Sequence, residues 1–140
     1  MALKTYSGSC HCGAVRFQAD IDLSEGTNKC NCSICTKARA WFILLKPDRF
    51  RLLAGADAQT EYQWTPPERP NPVLHYLFCK TCGVRSFGWG DAEELGGKWY
   101  FVSVASLDDA DIEELAAAPI RYADGRHNRF NQPPADIRLL

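Results

Sequence analysis

The segments GSCHCGAVRF, residues 8 to 17, and FCKTCGVRSF, residues 78 to 87, share one pattern. In each, two cysteines come just before a glycine, and a strand-like run follows. A Cys-x-x-Cys turn closed by glycine has the shape of a zinc knuckle, in which two sulfurs converge on one metal. One knuckle supplies two ligands, whereas a structural zinc site needs four. The two segments therefore predict a closed site that ties the N-terminal part of the chain to its middle, with free or redox-active thiols as the alternative. The four predicted ligands are Cys10, Cys12, Cys79 and Cys82.

Three further cysteines lie within six positions in KCNCSICTK, residues 29 to 37. They are Cys30, Cys32 and Cys35. Three thiolates hold zinc and leave its fourth position open for water or a substrate, which is the pattern of catalytic zinc. Three negative sulfurs also make that zinc a weak Lewis acid, so it is better suited to keeping an incoming thiol as thiolate than to making hydroxide. This segment therefore predicts an open, thiol-binding metal site.

Two other interpretations of this triplet stay open from the sequence. In the first, a histidine completes a second structural site, and the candidates are His11, His75 and His127. In the second, the triplet holds no metal and oxidises reversibly.

Short apolar or alternating runs predict a mainly β architecture. Residues 14–19 alternate, which places Val15 and Phe17 on one face of a strand. Further strands are predicted at residues 41–45, 49–53, 60–64, 73–78, 85–89 and 98–105.

One C-terminal helix is predicted at residues 107–118, with Ser106 as its N-cap and Pro119 preventing its continuation. A helical turn is also predicted after Cys35. The segment TPPERPN, residues 65 to 71, is predicted to be a loop because prolines dominate it.

Composition limits the range of functions. The chain has 140 residues, 46% of them apolar, so residues 1–140 are expected to form a single domain. The net charge is −1 and there is no run of Lys or Arg, so neither nucleic acid nor a membrane is an expected partner. The first residues lack the apolar stretch of a signal peptide. We therefore expect the cytoplasm, where seven cysteines indicate metal or thiol chemistry before disulfides.

The order of the cysteine motifs resembles that of the glutathione-dependent formaldehyde-activating enzyme family. The match runs through C-x-C-G-x-V-x-F, C-x-C-x-x-C and C-x-x-C-G, in residues 8–17, 29–37 and 78–87. The resemblance implies a β-tent type of fold, in which small twisted antiparallel sheets surround a structural zinc. It also implies two zinc ions per chain, with the four-cysteine group as the structural site and the triplet Cys30, Cys32 and Cys35 as the catalytic site.

The activity that the resemblance implies is a carbon–sulfur lyase reaction run in reverse, which joins glutathione to formaldehyde and gives S-hydroxymethylglutathione. No residue is predicted as the proton donor for the new hydroxyl, for which water would serve. Glutathione carries two carboxylates, so Lys37 and Arg39 are predicted partners, the alternative being that both are solvated surface charges. Asn31 and Thr36 depart from the family pattern, which often has histidine and a basic residue there. Neither is a metal ligand, so the departure bears on thiol and aldehyde selectivity.

Two other function classes stay open. One is a non-catalytic, zinc-stabilised module that binds a protein partner, and the other is a zinc- or redox-responsive protein. An exposed β-edge would also make a homodimer plausible.

Overall fold

The computed structural model describes residues 3–67 and 73–140. These residues form two sheets and two short helices, α1 (Ser33–Ala38) and α2 (Ile112–Ala117). The strands are β1 (Lys4–Ser9), β2 (Arg16–Ile21), β3 (Thr27–Cys30), β4 (Phe42–Leu45), β5 (Phe50–Ala54), β6 (Gln59–Trp64), β7 (Leu74–Cys79), β8 (Phe87–Ala92), β9 (Gly97–Ser103) and β10 (Ile120–Ala123). One sheet has the order β1-β2-β5 and the other the order β10-β3-β4-β9-β8-β7-β6. The pairing of β10 with β3 is parallel, and the remaining strand pairs are antiparallel.

The hydrophobic core lies between the two sheets. Phe17 of β2 is fully buried. Its ring centroid lies 5.6 Å from that of Phe50 in β5 and 6.5 Å from that of Phe87 in β8. Phe50 in turn stacks on Tyr100 of β9 at 4.4 Å. These rings join the small sheet to the large one, so the alternation predicted for residues 14–19 is confirmed.

The other predicted strands are also present, shifted by up to three residues at their ends. Three strands were not predicted, β1, β3 and β10. In β3, the sequence TNKC carries no aliphatic or aromatic side chain, although Thr27 and Cys30 are both buried. The loop predicted at residues 65–71 lies partly outside the described residues, which include only 65–67 of it.

The predicted C-terminal helix begins later than its sequence pattern indicated. Ser106 lies in a separate 3₁₀ turn, Val104–Ser106, and does not cap α2. The cap is Asp111, whose carboxylate accepts a hydrogen bond from the Glu113 N–H at 2.7 Å. The helical turn predicted after Cys35 is α1, which already contains this cysteine. No helix within residues 3–67 and 73–140 has the length and apolarity needed to cross a bilayer.

Candidate metal centres and the adjoining cleft

The four-cysteine group assembles where two strand ends meet. Cys10 and Cys12 lie in the turn between β1 and β2, and Cys79 is the last residue of β7, with Cys82 in the turn that follows. Their four sulfurs all lie within 4.8 Å of one another. The Cys12 sulfur is 3.7 Å from that of Cys10 and 3.6 Å from that of Cys79. Tetrahedral zinc with Zn–S bonds of about 2.3 Å separates its sulfurs by about 3.8 Å, so this donor set fits one zinc ion.

Backbone N–H groups point at these sulfurs, as a knuckle requires. The Val15 N–H approaches the Cys10 sulfur at 3.3 Å, and the Thr81 N–H approaches that of Cys79 at 3.4 Å. Such donors favour the thiolate form. The Val84 N–H is the main cause that lowers the pKa of Cys82 to about 6. Gly83 closes the turn with φ +75°, in the left-handed region that glycine adopts without strain.

The three-cysteine group is built by β3 and α1. Cys30 ends β3, Cys32 is the residue before α1, and Cys35 lies within that helix. Their sulfurs also lie within 4.8 Å of one another, and no other Cys, His, Asp or Glu of the described residues joins the group. Hydrogen bonds from the neighbouring cysteines, Cys32 first, lower the pKa of Cys30 to about 3, and the same bonds to Cys30 raise the pKa of Cys32 and Cys35. The donor set therefore fits a metal ion that keeps a position open.

None of the three histidines joins the triplet. The Nδ1 atom of His127 lies 2.9 Å from the carboxylate of Asp124. That of His75 lies 2.7 Å from Glu61, and its ring stacks on Trp89 at 3.6 Å. His11 is exposed in the first cysteine turn. The described residues thus offer no histidine that closes the second site.

A segment near the C-terminus supports the triplet, which the sequence patterns did not indicate. The side-chain N–H of Asn31 donates to the Asp124 carboxylate at 2.8 Å, and the Arg126 backbone N–H donates to the Asn31 side-chain oxygen at 3.0 Å. Between these two partners, Gly125 packs its backbone against the cysteines, and its N–H helps to lower the pKa of Cys30. A Cβ at Gly125 would lie 2.5 Å from the Cys30 sulfur. In the sequence, the only local indication of this contact is that a glycine, Gly125, lies within a polar segment.

Gly125→Ala is therefore expected to disturb the triplet without unfolding the protein. The added methyl group must displace the Cys30 sulfur, because real Cβ contacts are never this short. We expect metal content to fall from two ions per chain towards one, at an unchanged circular dichroism spectrum. Elemental analysis after gel filtration measures this ratio. Retention of two firmly held ions by the variant would show that the backbone at Gly125 does not constrain the site.

A cleft of about 840 Å³ opens beside the triplet, and all three of its cysteines line it. Among the described residues, its charged lining consists of Arg39, Arg85 and Arg126. Arg39 ends α1 with φ +54°, a left-handed conformation uncommon for any residue but glycine, and it donates to the Leu139 carbonyl at 2.7 Å. Lys37 is exposed and does not line the cleft.

Together these features define a class: a small, mainly β protein with one closed and one open cysteine group, each fit to hold a metal. Residues 5–122 match the sequence model of the glutathione-dependent formaldehyde-activating enzyme family, and the chain belongs to that family. Its fold is the β-tent type that the resemblance implied, with two short helices in place of one and with one parallel strand pair among the antiparallel ones.

Two relatives add detail. Over 79 residues, the chain is 37% identical to a protein of Halomonas elongata that is provisionally named a glutathione-dependent formaldehyde-activating enzyme. That match covers 54% of this chain and 50% of the relative, so it spans half of the relative's length. A crystal structure of a Rhodobacter sphaeroides protein superimposes with a TM-score of 0.62 at 26% identity. The superposition covers 82% of this chain and 99% of that one.

Proposed function

We propose that the protein is an enzyme that joins a small thiol, glutathione or a similar one, to an aldehyde at the triplet Cys30, Cys32 and Cys35. With formaldehyde the product is S-hydroxymethylglutathione, and the reverse reaction is that of a carbon–sulfur lyase. One observation carries this proposal. Three sulfurs converge with no fourth protein ligand among the described residues, and they do so in the wall of a cleft large enough for both substrates. A closed, purely structural site would not need such a cleft.

The metal is proposed to be zinc at both cysteine groups. A free thiol with a pKa near about 8.5 is mostly protonated at neutral pH. Zinc held by three thiolates would favour the reactive thiolate form of an incoming thiol. The chain's own contribution is to fix the ligands: N–H groups of Cys32 and Gly125 point at the Cys30 sulfur, the former at 3.4 Å. The seven thiols stay reduced in the cytosol, which we propose as the compartment.

Two arginines of the cleft are proposed to bind the carboxylates of the thiol substrate. Arg126 donates through Nε to the Asn31 carbonyl at 3.1 Å and through Nη2 to the Thr36 hydroxyl at 3.4 Å. A guanidinium carries five N–H groups, so these bonds orient the side chain and leave donors for a carboxylate. Arg39 is held in the same way by one bond to Leu139. The contact predicted between Lys37 and a carboxylate of the thiol stays a prediction, and it would require a thiol that extends beyond the cleft.

The hydroxyl of Tyr76 is proposed to assist the aldehyde oxygen. In the reaction a sulfur–carbon bond forms, the π electrons of the C=O bond move to oxygen, and the oxygen gains a proton in place of the one that the thiol loses. Tyr76 lines the cleft, and burial raises its pKa well above that of an ordinary phenol. The charges of the triplet cysteines raise the same pKa, while Arg85 lowers it. The hydroxyl therefore stays protonated and can donate a hydrogen bond to the developing alkoxide.

Exchange NMR tests this function directly. With ¹³C-formaldehyde and glutathione at equilibrium, we expect the protein to speed exchange between free and thiol-bound carbon above the spontaneous rate. Tyr76→Phe should lower the catalysed rate by about a hundredfold to a thousandfold, as expected for a lost acid–base group or oxyanion donor.

The control is Tyr62→Phe. Tyr62 pairs directly with Tyr76 across β6 and β7, but it is 52% exposed and does not line the cleft. A rate equal to the spontaneous one would count against the proposed function. Equal rates for the two tyrosine variants would remove only the role of Tyr76.

A further inference from the structure

The cleft has an aromatic floor that depends on two glycines of β8. A Cβ at Gly90 would lie 3.0 Å from the Trp99 ring, and a Cβ at Gly88 would collide with the Phe101 ring. Both rings therefore occupy space above β8 that a side chain there would fill. The centroids of Trp99 and Phe101 are 5.6 Å apart, and those of Phe101 and Tyr76 are 4.9 Å apart. The three rings form one continuous surface, which we call the aromatic floor.

The strand register extends the aromatic floor along the length of the cleft, with Tyr76 and Phe101 in one row and Trp99 in the next row away from the cysteines. Phe42, beside β3, pairs with Ser103 of β9, while Leu44 pairs with Phe101. Trp99 lies two residues further along β9, opposite Gly90. At about 3.4 Å per residue, Trp99 is about 14 Å along the strand from Ser103. The cleft thus extends well beyond the atoms that would surround a bound sulfur.

Charge and apolarity divide the cleft into two parts. Arg39 follows α1 and Arg126 follows Gly125, so both cations lie beside the triplet. Arg85, the third cation that the described residues contribute to the lining, lies over the Tyr76 ring at 4.6 Å, at the end of the aromatic floor away from Trp99. The part around Trp99 is lined by Trp64 and Leu74. Trp64, Leu74, Gly90 and Trp99 are paired in turn across four neighbouring strands, and this row of the described sheet contains no charged residue. The first part suits the carboxylates of a thiol such as glutathione. The second part suits an apolar group that the thiol does not have.

A one-carbon aldehyde would leave this second part empty. Formaldehyde has two heavy atoms and is hardly larger than a water molecule, whose share of liquid volume is about 30 Å³. The cleft measures about 840 Å³. An aromatic surface exposed to water gains stability when an apolar group covers it, and ring pairs add to that gain.

We propose that the preferred aldehyde carries an aromatic or similarly extended apolar group, which lies on the aromatic floor while its carbonyl carbon meets the thiol beside the triplet. This inference rests on the proposed function and names its substrate class. The product is the corresponding hemithioacetal: the sulfur–carbon bond forms, the carbonyl π bond breaks, and the thiol proton is replaced by one on the new hydroxyl. No oxidant or reductant is required.

Two measurements on the metal-loaded protein test the substrate class. Exchange NMR with glutathione compares phenylacetaldehyde with formaldehyde, each relative to its spontaneous rate. Intrinsic tryptophan fluorescence follows binding of 2-phenylethanol, an alcohol that cannot react with a thiol and that reports on the aromatic floor alone. We expect a larger acceleration for phenylacetaldehyde and saturable binding of 2-phenylethanol.

Variants locate the binding. Trp64→Leu and Trp99→Leu should each weaken 2-phenylethanol binding about threefold to tenfold, the effect of losing one ring contact. The matched control is Tyr62→Leu, two residues before Trp64 on the same edge strand and outside the cleft lining, which should bind as the wild type does.

The outcomes separate the two levels of the proposal. The substrate class would be overturned if the protein accelerated the reaction of formaldehyde more than that of phenylacetaldehyde. It would also be overturned if the Trp64→Leu and Tyr62→Leu variants bound 2-phenylethanol equally well. Either result would leave the thiol–aldehyde function standing. Acceleration of neither aldehyde would overturn the proposed function, and the substrate class with it. Preference for phenylacetaldehyde, lost with the tryptophan variants, supports both.

Discussion

Cys79→Ser is expected to leave the chain without a stable fold. The Cys79 side chain is fully buried, and its sulfur lies 3.6 Å from that of Cys12, so the site ties the turn after β1 to the end of β7. Structural zinc in small peptides contributes about 10–16 kcal/mol of apparent folding free energy. Whole domains are stable by only about 5–15 kcal/mol, so weakening one such site can exceed the margin. Circular dichroism and thermal unfolding measure the effect.

Thr81→Ala is the matched control for this variant. Thr81 lies in the same knuckle and is exposed, and its contribution is a backbone N–H to the Cys79 sulfur, which alanine retains. We expect this control to melt near the wild type. Cooperative unfolding of Cys79→Ser at the wild-type temperature would mean that the four-cysteine group does not hold the fold together.

Cys32→Ser is expected to abolish catalysis while the fold survives. A serine hydroxyl does not ionise near neutral pH and is a poor ligand for zinc, so the triplet would keep two sulfurs instead of three. Cys32 lies outside the core that joins the two sheets and is only half-buried. We expect a melting transition close to that of the wild type, one retained metal ion per chain, and a catalysed exchange rate at least about a hundredfold lower, beyond the usual effect of losing an outer-shell partner.

The two cysteine variants control each other. Both remove one sulfur from a candidate metal group, and the expected losses differ: the fold for Cys79→Ser and the reaction for Cys32→Ser. Exchange NMR and circular dichroism on the same preparations give both results. Wild-type exchange by a folded Cys32→Ser protein would contradict the catalytic role of the triplet.

Both cysteine groups were predictable from the sequence because their spacing is local. A ligand pair within one turn, such as Cys79 and Cys82, encodes its own geometry, and counting ligands to four then joins it to the other pair. The alternation of apolar and polar residues around Phe17 could be predicted for a similar reason, because one face of β2 is buried. By contrast, the predicted cap Ser106 and the observed cap Asp111 are both residue types that cap helices, and in the structure Ser106 belongs to a separate 3₁₀ turn while Asp111 caps α2.

The surroundings of the triplet could not be predicted in this way. Asn31 and Arg126 are 95 residues apart, and their contact follows from the parallel pairing of β10 with β3. The strand β3 itself has no apolar alternation to reveal it. The aromatic floor depends on rings of β9 lying above glycines of β8, which is a property of register. Arg39 and Lys37 are both basic, but only Arg39 lines the cleft, so residue type alone could not distinguish them.

The most direct test of the open thiol site is zinc release to a chelator, followed as metal per chain over time, with and without glutathione. We expect one ion to leave quickly from the triplet while the other stays in the four-cysteine site, and we expect glutathione to change the rate of the fast ion alone. Release of both ions together with unfolding, at a rate that glutathione does not alter, would contradict an open site at Cys30, Cys32 and Cys35.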